Sequence, residues 1–257
     1  MALNRAEWLG TFYPLPGWLC PACEQGHLRL IDKTLAKADT AATLRGRKHP
    51  DWEHEWDQQR FSGLLQCDNA QCKEVCCISG TTSQVEVYED CCEDGIERQC
   101  FVDGYDVRYI YPSPLPFRMS QKVPKEIADL LRRSTELYWA DPEGAANKLR
   151  QAIEVLLTEQ GVRRTIINRQ HRRQTLNLHS RIVEYKGKQS EAADLLLAVK
   201  WIGNEGSHAG SLKHEDVLDG YEMLGHVLDD VYERTRTRLA NLAKSINRNK
   251  GPTKKRR

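Results

Sequence analysis

All nine cysteines of this 257-residue chain fall between Cys20 and Cys100, and none occurs in the remaining three fifths. Clustered thiols limit what the first hundred residues can be. The count is odd, and the opening Met-Ala-Leu-Asn-Arg-Ala-Glu-Trp has no apolar secretion core, so metal ligation explains the cysteines better than disulfides do. Cys20-Pro21-Ala22-Cys23 is a C-x-x-C knuckle, and Cys67-Asp68-Asn69-Ala70-Gln71-Cys72 supplies a second pair. Four thiolates suit one tetrahedral zinc, and such a closed shell is structural because it leaves no open position for chemistry. The 43 residues from 24 to 66 that separate the pairs exceed the spacing of a compact ribbon, which keeps buried reduced cysteines as the alternative.

Around these pairs, Leu28 to Ile31, Glu74 to Ile78 and Gln84 to Tyr88 read as short strands closed by turns such as Ser79-Gly80, consistent with a zinc ribbon. His49 to Trp56 places Trp52 and Trp56 at i and i+4, on one face of an expected helix that packs onto the ribbon. Cys76, Cys77, Cys91, Cys92 and Cys100 are left over. A second metal or redox site from them is disfavoured, because Glu89 to Asp94 surrounds Cys91 and Cys92 with carboxylates that oppose thiolate formation.

The expected organisation is α+β: a zinc-ribbon-like β module over 1–110, a proline-rich linker over 111–122, an all-α bundle over 123–247 and a basic tail over 248–257. Charge divides the same way. Residues 1–118 carry 12 Lys and Arg against 18 Asp and Glu, while residues 119–257 carry 26 against 18. A basic second half suggests a polyanionic partner, with a solvated charged surface as the commoner alternative for such an excess. The longest aliphatic run, Leu195 to Val199, is far too short to span a bilayer, so a cytoplasmic protein without membrane contact is expected.

In the second half, Pro124 opens a helix with Ile127, Leu130, Leu131, Leu137 and Tyr138 as its stripe. Asp141-Pro142 then caps and starts a second helix, ended by Gly161. A third is expected from about Thr175 to Tyr185, a fourth from Ser190 to Ile202, and a fifth from Glu215 to Ile246 with Val217, Tyr221, Leu224, Leu228 and Val231 as its seam. The connection from Val162 to Gln174 holds Arg163, Arg164, Arg169, His171, Arg172 and Arg173 without an acidic residue, which makes it either a contact for nucleic-acid phosphates or a solvated loop.

One stretch departs from helix periodicity: Lys200-Trp201-Ile202-Gly203-Asn204-Glu205-Gly206-Ser207-His208. On a continuous helix Lys200, Asn204 and His208 would share a face. Each glycine costs a helix interior about 1 kcal/mol, so they are expected either to end the helix, with Gly203 and Asn204 left-handed, or to admit close approach of another group. Arg150 and Glu154, at i and i+4 in the second helix, either form an ion pair or reach toward this segment.

Three stretches, Leu137 to Pro142, Ala145 to Glu154 and Lys200 to His208, make the chain resemble the bacterial domain-of-unknown-function family 4145. The resemblance implies a HEPN-like helical bundle, with a small zinc module ahead of it in members that have a Cys-x-x-Cys front end and a line like Phe61 to Cys67. Many HEPN domains are metal-independent ribonucleases of toxin, antiphage and RNA-processing systems, acting at a dimer interface with an Arg, often followed by a polar residue, ahead of a His. Asn204 and His208 match the polar residue and the His. Gly203 stands where the Arg would be, leaving Lys200 and Arg150 as the nearest cations. The resemblance thus implies a homodimeric, zinc-containing protein that binds and cleaves RNA in a defence or stress system, with His208, Asn204, Arg150, Lys200 and Glu154 at the site. The competing expectation is a non-enzymatic adaptor in which ribbon and bundle recruit protein or nucleic-acid partners.

Overall fold

A computed structural model describes residues 3–89, 98–205, 212–233 and 235–252. The fold is α+β, an antiparallel sheet followed by a helical region. The sheet comprises β1 (Leu28–Leu30), β2 (Ala36–Asp39), β3 (Gln59–Cys67), β4 (Val75–Glu89) and β5 (Arg98–Tyr111), in the order β1-β3-β4-β5 with β2 also paired to β3. A short helix α1 (Ala41–Gly46) joins β2 to β3, its Thr40 hydroxyl accepting from Thr43 N at 3.1 Å.

Two local expectations are corrected here. Ser79-Gly80 is not a turn: β4 runs straight through it, and a β-bulge takes up the irregularity against β5. Glycine is needed because a Cβ on Gly80 would lie 2.1 Å from the carbonyl oxygen of Asp106 and 2.8 Å from the Phe61 ring. Nor does a helix cover 49–56. Only His54–Trp56 forms a single 3₁₀ turn, Trp52 donates from Nε1 to Asp57 at 3.2 Å, and Trp56 is 47% exposed.

The helical region contains α2 (Lys125–Tyr138), α3 (Pro142–Glu159), α4 (Leu178–Lys186), α5 (Ser190–Glu205), α6 (His214–Leu228) and α7 (Thr235–Asn249). Capping explains the start of α3: the Asp141 carboxylate accepts from Gly144 N at 2.8 Å, and Pro142 occupies the first turn, where no amide is needed. Gly161, at φ +71°, ends the helix. The expected fifth helix is interrupted, because a π-helical turn over Asp229–Glu233 separates α6 from α7. Its seam is nonetheless buried, from Val217 to Val231. Between α2, α3 and α6, the buried Ser134 hydroxyl bonds Tyr221 Oη at 2.7 Å and donates to Ala145 O at 2.8 Å, so this polar pair is satisfied inside the core.

Residues ahead of β1 tie sheet to helices. Trp8 stacks on Trp139 at 5.5 Å, Phe12 and Trp18 pack edge-on to the same ring, and Tyr138 Oη donates to Trp8 O at 3.0 Å. Arg5 pairs with Asp219 and Glu222 on α6. Ser113, Pro114 and Leu115 of the proline-rich segment are buried. Among the described residues no helix is long and apolar enough to cross a membrane.

Candidate functional site

The sheet register explains how a long insertion still produces a compact cysteine cluster. Pairing Leu28 with Cys67 returns β3 alongside β1 and the first knuckle, so the chain between them, with β2 and α1, is accommodated without separating the thiols. The Sγ atoms of Cys20, Cys23, Cys67 and Cys72 lie within 4.8 Å of one another, with Cys20 to Cys72 at 3.8 Å and Cys23 to Cys67 at 3.7 Å. A tetrahedral metal with sulfur arms of about 2.3 Å requires edges of about 3.8 Å, so these four residues fit a metal ion.

Both knuckles turn in the same way. The residues directly after the second cysteine of each pair, Glu24 and Lys73, adopt left-handed conformations at φ 52° and 55°. That conformation aims backbone amides back at sulfur, and Gly26 N reaches Cys23 Sγ at 3.4 Å. These amides, Gly26 first and Gln25 next, bring the Cys23 thiol down to about 6, while burial raises those of Cys20 and Cys67. Gly26 has no room for a side chain: a Cβ there would meet Cys67 Sγ at 2.6 Å.

The other cysteines take separate roles. Cys76 is buried, its thiol pushed up to about 12 by desolvation, and Cys77 is exposed. Cys100 is disulfide-bonded, which corrects the preference for metal over disulfides at that position. Cys91 and Cys92 lie outside the described residues.

The second candidate is at the end of α5. This helix does not stop at Ile202 but continues through Gly203 and Asn204 to Glu205, and Gly203 is not left-handed. Close approach is what the glycine allows, since a Cβ on it would lie 3.0 Å from both Ala146 O and Arg150 Cβ on α3. Arg150 and Lys200 are thereby brought together. Lys200 is only 8% exposed, its Nζ lies 3.3 Å from the Trp201 ring centroid, and burial, then the Arg150 charge, lowers its pKa. Arg150 donates to Asn147 Oδ1 at 3.4 Å, and of its two expected arrangements the ion pair with Glu154 is not formed. Asn204 is half-buried in the last turn, and His208 lies outside the described residues.

Sequence alone missed Arg181, buried at 4% exposure on α4. It donates to Glu154 O at 3.1 Å and Thr158 Oγ1 at 2.8 Å, binding the end of α3 to the segment after it. That segment is not an open loop. Thr165–Ile167 (β6) and Arg173–Thr175 (β7) form an antiparallel hairpin whose turn is fixed by Asn168, and α4 begins at Leu178 rather than Thr175. Arg163 pairs with Glu184 at 2.9 Å, and Arg173 donates to Thr165 Oγ1 at 3.1 Å. Arg164, Arg169 and Arg172 are exposed and have no carboxylate partner among the described residues.

With α3 and α5 in contact at this point, the helical half can be compared with known families. Residues 132–249 match the family described as domain of unknown function DUF4145. A second domain of unknown function, DUF8608, matches residues 13–109. The DUF4145 match contains the Arg150, Lys200 and Asn204 cluster and the arginine hairpin, and the DUF8608 match contains all four clustered cysteines. No curated protein and no solved structure matches the chain.

Proposed function

We propose that this is a zinc-containing, HEPN-like protein that binds and cleaves RNA. The observation that carries the reading is the convergence of Arg150 and Lys200, two cations from different helices whose charges act on one another, on the α3–α5 contact that also holds Asn204 in the last turn of α5. Like charges on a buried lysine and a half-buried arginine are unfavourable without an anion, and a phosphodiester supplies one. His208 comes four residues after Asn204 and is the base. It takes the proton from a 2′-hydroxyl as that oxygen attacks phosphorus and the P–O5′ bond breaks; the departing 5′-oxygen takes up a proton. Arg150 and Lys200 stabilise charge on the phosphoryl oxygens.

The exposed arginines of the β6–β7 hairpin would hold the RNA backbone outside the cleaved bond. The cysteine cluster holds one structural zinc in a ribbon-like module and takes no part in catalysis. The protein works in the cytoplasm as a homodimer, in a defence or stress response of the kind associated with HEPN ribonucleases. The test is cleavage of a labelled RNA without added divalent metal: His208→Ala should slow it by about a hundredfold or more. Equal rates in wild type and variant would remove the catalytic reading.

One observation favours an adaptor instead. Leu239, Leu242 and Ile246 form a stripe on α7 at steps of three and four and are 51%, 41% and 38% exposed, a face suited to another helix. In the nuclease reading the same stripe joins two copies of the chain.

A further inference from the structure

The outer face of the sheet carries a second arrangement suited to nucleic acid, on the half of the chain whose net charge is negative. The bulge between β4 and β5 creates it. Ser79 pairs with Tyr109 and Gly80 pairs with Val107, so Arg108 is an extra residue in β5 and the alternation of inward and outward side chains is broken. Val107 and Ile110 are buried, whereas Arg108, Tyr109 and Tyr111 are all exposed. The rings of Tyr109 and Tyr111 lie 6.3 Å apart and within 12° of parallel. Beside them a cleft of about 460 Å³ is lined by Arg60, Phe61, Ser79, Gly80, Thr81 and Arg108.

Neither arginine of the cleft has a carboxylate partner among the described residues. The nearby Asp106 carboxylate is engaged by the hydroxyls of Thr11, at 2.6 Å, and Ser83, at 3.1 Å. Two cations and two hydroxyl-bearing residues therefore lie next to a pair of parallel, solvent-facing aromatic rings. Phosphates match the first set, and unpaired bases the second.

We infer that this face binds a single-stranded nucleic acid, with Arg60 and Arg108 on backbone phosphates and Tyr109 and Tyr111 stacked on bases. A duplex cannot use it in the same way, because its bases are already stacked on one another. The inference is independent of the cleavage site in the helices, and the two surfaces can be tested apart.

The experiment uses the full-length, metal-containing protein and fluorescein-labelled 12-nucleotide oligouridylate, the matching oligodeoxythymidylate and a blunt duplex of equal length, read by anisotropy. Tyr109→Ala with Tyr111→Ala should weaken single-strand binding by about tenfold or more. Tyr109→Phe with Tyr111→Phe should retain it, since phenylalanine also stacks. Arg60→Ala with Arg108→Ala should reduce the dependence of log affinity on log salt by roughly 1.4, about 0.7 for each phosphate no longer neutralised. Weakening on the ribo-oligomer alone identifies RNA as the ligand, and equal weakening on both oligomers a general single strand. Wild-type affinity in the alanine pair, equal weakening on duplex and single strand, or no binding by the wild type would overturn the inference. If Arg169→Glu with Arg172→Glu abolishes binding while the sheet variants do not, the sheet face is excluded and the hairpin reading stands.

Discussion

Gly203 lies against Arg150 so closely that a Cβ on the glycine would be 3.0 Å from the arginine Cβ and equally close to the Ala146 carbonyl oxygen. Both neighbours belong to α3, and neither is the free end of a flexible side chain. Gly203→Ala must therefore push these neighbours aside by a few tenths of an ångström, and because they are a backbone oxygen and a Cβ the strain of about 1–3 kcal/mol offsets or outweighs the roughly 1 kcal/mol gained in helix propensity. Thermal denaturation should show a destabilised variant, and the displaced Arg150 should also weaken RNA binding. A variant at least as stable as wild type would mean the helices do not meet this tightly.

The cysteine cluster makes a claim about composition. Purified protein should contain one zinc per chain, and prolonged treatment with a strong chelator should remove it and lower the melting temperature. Gly26→Ala should have a similar effect while leaving every ligand in place, because its methyl group would sit 2.6 Å from Cys67 Sγ. Elemental analysis that finds full zinc in Gly26→Ala would refute the packing described here.

Lys200 contributes a pH dependence of definite sign. Burial and Arg150 hold its pKa below the ordinary 10.5, so between those two values the unfolded chain holds a proton that the folded chain has released. Stability from this group therefore rises with pH across that window, and the penalty is fully present below it. Comparing wild type with Lys200→Met, the difference in stability should move in the wild type's favour as pH is raised toward 10.5. Denaturant melts at several alkaline pH values would check this. A pH-independent difference would contradict the burial of the charge.

The stripe on α7 predicts an oligomeric state. Light scattering should find a dimer, and Leu242→Glu should give a folded monomer whose melting temperature no longer depends on protein concentration, because this side chain is 41% exposed in one copy and is buried only by association. A monomeric wild type would leave the stripe to a different partner.

Elements marked by chemistry at their ends were legible from sequence. Asp141-Pro142 and Gly161 bound α3 as their capping preferences require, and the apolar spacing from Val217 to Val231 identified the buried face of α6 and of the π-helical turn that follows it. Gly80 misled and Gly203 stayed open for one reason: glycine signals either a break or a close approach, and only tertiary packing decides which. Gly80 sits at the bulge beneath Asp106 O, and Gly203 sits in the α3–α5 contact. The β6–β7 hairpin was hidden because two three-residue strands, Thr165–Ile167 and Arg173–Thr175, have too short a pattern to read. The cysteine ligands were legible as pairs, whereas the joining of the pairs depended on the β1–β3 register, which is a long-range property.

The central claim is that cations from α3 and α5, with His208, cleave RNA without a catalytic metal. Its most direct test is single-turnover cleavage of a uniformly labelled RNA by the zinc-loaded protein in the presence of a divalent-ion chelator that leaves the zinc in place, comparing wild type, His208→Ala and Arg150→Ala. The account predicts products ending in a 2′,3′-cyclic phosphate for the wild type. It also predicts that His208→Ala cleaves about a hundredfold or more slowly, with RNA binding retained. Cleavage at the wild-type rate in both variants, or no cleavage by a wild type that binds RNA, would contradict it.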